Sequence, residues 1–137
     1  MALKLGSLTP LIQVYDMVEA LGFYRDVLGF AVIASSPEIE APEGRYFHWA
    51  LLRLGDAELM LNTAYDAGER PMARDAARAV PHADTCLYIA CEDLDGAHAL
   101  LKAAGLEIEP PTTAPYGMRQ LHLRDPDGFC LCLQTQA

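Results

Sequence analysis

The side chains best suited to chemistry are sulfurs and one histidine: Cys86, Cys91, Cys130 and Cys132, with Met60 as a thioether and His122 as an imidazole. Thiolate, thioether and imidazole together select soft ions such as copper(I) or zinc. A thiolate beside a basic group such as His122 is also a nucleophile in waiting, provided its pKa is lowered. No CxxC spacing marks a zinc ribbon or a thioredoxin-like site. Cys130 and Cys132 alternate along one strand and point the same way, a poor geometry for bonding to each other. Reduced thiols in a cytoplasmic protein are the expectation.

The surrounding chain narrows the choice of partner. Its 137 residues carry 10 Lys plus Arg against 19 Asp plus Glu, a formal net charge of −9. Phosphate backbones and anionic membranes need the opposite footprint, so neither nucleic acid nor membrane is expected as a partner. No apolar run approaches the length of a membrane span, and the opening residues lack a signal-peptide core. With 52% apolar residues the chain has ample material for a core, which excludes wholesale disorder.

Two stretches that share a grammar must position these side chains. Leu8 to Val14 alternates, meets Asp16, and gives way to a helical pattern closed by Gly29. Thr85 to Cys91 alternates, meets Asp93, and leads to a second helical pattern closed by Gly105. Asp16 and Asp93 are placed as N-caps, with Glu19 set to complete a capping box, and the glycines as left-handed helix ends. The two aspartates are one residue further apart than the two glycines. After each helix the period falls to two. FHWALLRL, Gly55-Asp56 and AELMLN make one hairpin; QLHLR, Asp125-Pro126-Asp127-Gly128 and FCLCLQ make another. Residues 63–82 join the halves as a linker or a flap.

The strings LIQVYDMVEALGFYRDVLGF and YGMRQLHLRDPDGFCLCLQ resemble the opening and close of vicinal oxygen chelate modules, the superfamily of glyoxalases, bleomycin-resistance proteins and extradiol dioxygenases. The resemblance spans Leu8 to Gln134. It implies an α+β fold: two β-α-β-β-β modules in tandem (about 6–62 and 83–135, linker 63–82, one domain over 1–137) whose curled mixed sheets surround a shared cavity. It also implies a homodimer. Metal-dependent members hold an ion with His or Gln from each first strand and Glu from each fourth. The corresponding residues here are Thr9, Cys86, Met60 and Cys132, none a hard donor. A member without the family's metal ligands, and with no cofactor, is therefore expected.

Strand alternation reads the cavity face independently. Leu8, Pro10, Ile12 and Val14 should pack on a helix, leaving Thr9, Leu11 and Gln13 inward. Trp49, Leu51, Met60 and Asn62 line the first hairpin; Cys86, Tyr88 and Ala90 line the next strand. Gln120, His122, Cys130, Cys132 and Gln134 complete the wall. The expected ligand contacts are Thr9, Gln13, Trp49, Met60, Cys86, Tyr88, His122 and Cys132, a mostly apolar set suited to a small apolar or aromatic molecule. The sequence leaves an enzyme open as the alternative, of lyase, thiol transferase or dioxygenase type, using a cavity thiol or a soft metal at Cys86 and Cys132.

Overall fold

A computed structural model describes residues 2–137. Its elements are β1 (Leu11–Val14), α1 (Met17–Leu21), β2 (Ala31–Ser35), β3 (Ile39–Ala41), β4 (Gly44–Tyr46), β5 (Trp49–Leu54), β6 (Ala57–Thr63), α2 (Ala76–Ala83), β7 (Cys86–Ala90), α3 (Leu94–Ala103), β8 (Thr112–Thr113), β9 (Met118–Arg124) and β10 (Cys130–Gln136). They build two mixed four-stranded sheets, ordered β1-β6-β5-β2 and β7-β10-β9-β8, and a separate antiparallel β3-β4 pair. In each four-stranded sheet, the strand before the helix runs parallel to the last strand and forms the sheet edge. This is the expected α+β architecture.

The helices start where the caps direct. Asp16 accepts from the backbone N–H of Val18, and Asp93 from that of Gly96. Gly29 and Gly105 then take φ of 96° and 95°, closing the helices in the left-handed region. Glu19 does not complete a capping box. Its carboxylate accepts from Arg74 at 2.7 Å, because the linker delivers a cation that a neutral backbone N–H does not match. Beyond Leu21 the first helix widens into a π turn over Gly22–Val27, where α3 stays regular.

Each sheet buries one face. Ile12, Val14, Ala50, Leu52, Leu59 and Leu61 pack beneath α1, and Leu121, Leu123 and Leu131 beneath α3. Leu8 is a correction: the first strand begins only at Leu11, so Leu8 stands outside the ladder, 86% exposed.

The linker carries α2, capped by Asp75, and lies across the Asp125–Gly128 turn. There the His82 ring stacks on Phe129 at 3.9 Å, and its Nδ1 lies 2.7 Å from the Asp127 carbonyl oxygen. Arg74 bridges Glu19 and Asp127. The same turn latches the halves together. Asp125 accepts from the Tyr24 hydroxyl at 2.6 Å, and Asp127 accepts from the Tyr15 backbone N–H.

Candidate ligand-binding site

The face of each sheet turned away from its helix is open, and register sets the side chains on it in rows. In the first sheet one row is Leu11, Met60 and Leu51, and the next is Gln13, Asn62 and Trp49. Arg53 and Glu58 pair at 2.7 Å towards the Gly55-Asp56 turn. In the second sheet the rows are Tyr88, Cys132 and His122, then Ala90, Gln134 and Gln120. Thr9 lies just ahead of β1, which begins at Leu11, and joins neither row.

These faces hold apolar groups in unusual exposure. Leu11 is 45% exposed and Tyr88 55%, both on the edge strands of these open faces. Amides organise the polar part. The Gln120 Nε2 donates to the Tyr116 hydroxyl and to Gln134 Oε1, and the Asn62 Nδ2 donates to Gln13 Oε1 at 3.5 Å. A cavity of about 610 Å³ opens beside Gln120, His122 and Cys130. Its far wall is the segment Leu106–Pro110 with Thr112, none of which was among the expected contacts. The alternation of Leu106 and Ile108 with Glu107 and Glu109 was the one signal that could have found it.

The largest correction concerns the thiols. Cys86 and Cys130 are joined by a disulfide, leaving Cys91 and Cys132 free. β7 and β10 run parallel with Cys86 directly opposite Cys130, Cα atoms 4.4 Å apart, inside the range such a bond requires. Alternation within a strand disposes of the Cys130–Cys132 pair but is blind to partners across strands. The bond uses up the Cys86 sulfur on which the soft-metal and nucleophile alternatives drew. Cys132 is fully buried, and burial pushes its thiol pKa up, away from an activated thiolate. Met60 lies on the other sheet, so the four soft donors are not one cluster. Among the described residues no group of three or more His, Cys, Asp and Glu could hold a metal ion. Threonine, thioether and thiol or disulfide sulfur, the groups at the positions where a divalent ion would be held, do not fit a hard cation.

A family model for the Glyoxalase/Bleomycin resistance protein/Dioxygenase superfamily matches residues 4–133. The chain belongs to that superfamily. Solved structures with the same fold include TnmS3, an antibiotic binding protein from Streptomyces sp. CB03234. It is 22% identical, with TM-score 0.68, over 99% of this chain and 100% of its own. The bleomycin resistance determinant encoded on the transposon Tn5 is 21% identical, TM-score 0.66, over 96% and 98% of the two chains. A bleomycin-binding protein complexed with bleomycin is 21% identical, TM-score 0.66, over 97% and 100%. Among curated proteins none matches. At these identities the likeness shows the fold of this glyoxalase/bleomycin-resistance member; its ligand has to be argued from its own residues. Among the described residues no helix is long and apolar enough to cross a membrane.

Proposed function

We propose that this superfamily member binds a small, largely apolar or aromatic organic molecule on its open sheet faces, without a metal ion. The observation that carries the reading is the apolar make-up of the open faces, on which exposed Leu11 and Tyr88 of the edge strands stand in rows with Met60, Trp49, Gln13, Cys132 and His122. An open apolar sheet face ringed by a few amides has the composition of a ligand site. Glu107 and Glu109 line the cavity in a chain of net charge −9, which favours a ligand carrying positive charge. The antibiotic-binding and bleomycin-binding proteins of the same fold supply the analogy. The enzyme alternative needs a lowered thiol pKa, and Cys132 shifts the other way.

Trp49 is the only tryptophan and stands on the first face, so its emission reports that site alone. Titration with metal-free bleomycin and a panel of cationic aromatic antibiotics, in the presence of a chelator, should give a saturable change for at least one compound. Calorimetry should return the same midpoint. Absence of saturable binding across the panel, or binding that demands an added divalent ion, would sink the reading.

Both faces are open in a single chain, and a molecule resting on one would keep half its surface in water. We therefore place the working unit as a homodimer in the cytoplasm, the pairing bringing open faces together. Light scattering at micromolar concentration should report twice the 15.0 kDa chain mass. A monomer at that concentration would refute the pairing.

A further inference from the structure

The Cys86–Cys130 bond occupies an odd place for a permanent staple. It joins an edge strand, β7, to its single neighbour β10, on the open face rather than in the core. Cys130 is buried but borders the 610 Å³ cavity, and Cys86 is half-buried, so a small reagent approaches the bond from the Cys86 side. Immediately beyond it, in the next row, fully buried Cys132 sits between Tyr88 of β7 and His122 of β9. The strands already hold the two cysteines in register through their backbone ladder, so the pair survives opening as two thiols poised to close again.

We infer that Cys86 and Cys130 form a reversible thiol–disulfide site in the cavity wall, exchanging with low-molecular-weight thiols and disulfides, and that the closed bond pins the edge strand β7, with Tyr88, beside Cys132. Reduction starts with a small thiolate attacking the half-buried Cys86 sulfur. The Cys86–Cys130 bond breaks, Cys130 leaves as a thiolate and takes a proton, and Cys86 carries the mixed disulfide. A second small thiolate attacks the reagent's sulfur in that mixed disulfide, releasing the small disulfide and a Cys86 thiolate that is then protonated. Two small thiols thus yield one small disulfide and two protein thiols, and oxidation by the small disulfide runs the same steps backwards. Cys132 does not divert the exchange, because it lies on the same strand as Cys130 with side chains parallel. This site stands independently of the ligand proposed above.

The test equilibrates the whole protein at fixed ratios of reduced to oxidised glutathione, quenches in acid, and alkylates with a maleimide in denaturant. Intact mass should show two adducts at the oxidising end and four at the reducing end, with the change complete across millimolar glutathione ratios. Four adducts at every ratio would mean no bond forms, and two adducts persisting in millimolar reduced glutathione would mean a permanent one; either overturns the inference. The pinning of β7 is read separately, from native-state alkylation of Cys132 in a Cys91→Ser background. Its rate should rise several-fold on reduction, and a Cys86→Ser variant should show the fast rate at every glutathione ratio. A Cys132 rate that ignores both the reduction and the variant would overturn the pinning.

Discussion

Replacement of Asp125 by alanine is expected to lower the unfolding free energy by about 4 kcal/mol, since three buried donors lose their acceptor at about 1–3 kcal/mol each with partial relaxation. The donors are the Tyr24 hydroxyl at 2.6 Å and the backbone N–H groups of Asp127 and Phe129 at 2.9 and 2.8 Å. Tyr24→Phe removes only one of these bonds and should cost about half as much. Asp125→Asn should cost less than the alanine change, because an amide oxygen still accepts from both backbone groups. The variants also separate by pH. Burial raises the Asp125 carboxyl above its ordinary value, with the Tyr24 and backbone hydrogen bonds opposing, so the folded state holds that proton more tightly than the unfolded chain. Such a group loses stabilising weight as pH rises from the ordinary carboxylate range through the raised value. Asp127, also raised by burial, carries the same sign. The asparagine variant should therefore lose less stability than the parent between mildly acidic and neutral pH. Urea midpoints across that interval measure it; parallel curves for parent and variant would show that Asp125 titrates alike folded and unfolded.

Fully oxidised protein should melt well above a Cys130→Ser variant. The bond closes a sequence separation of 44 residues, enclosing α3, β8 and β9. Loop-closure entropy for a separation of this size amounts to about 4 kcal/mol, or roughly 10–15 °C in Tm for a chain of this length. Parent protein treated with excess dithiothreitol should then melt beside the variant. If reduction moves the parent by no more than about a degree, the link adds nothing to stability. A cavity cost specific to serine would instead show as a variant less stable than the reduced parent.

How far these residues were legible in the sequence depended on whether the controlling interaction was local. Asp16 and Asp93 announce their helices because a cap acts over three residues. The hairpin at Gly55-Asp56 follows from its two-residue turn, and the register it sets pairs Arg53 with Glu58. Period two separated Leu52 and Leu61 from Leu51 and Met60 without error. Local patterns failed where a distant segment decides. Glu19 met an arginine from the linker, and Cys86 met a partner on a strand at the far end of its module. Helix α2 is hard to read from the sequence because it is short, carries Pro81 inside it and buries no residue. Leu106–Pro110 lines the cavity with only the alternation of Leu106 and Ile108 with Glu107 and Glu109 to mark it.

The π turn in the first helix is where module one stores a surplus residue. Cap to closing glycine is one residue longer there than in module two, and a turn wound i to i+5 swallows the extra residue without moving either end. Within that turn Phe23 and Tyr24 are both buried, and Tyr24 reaches Asp125 in the other half; regular α3 has no such outreach among its buried Leu94 and Leu101. The halves repeat in outline yet are not interchangeable parts. A tandem of two copies of module two would keep its sheets and lose the bolt between them.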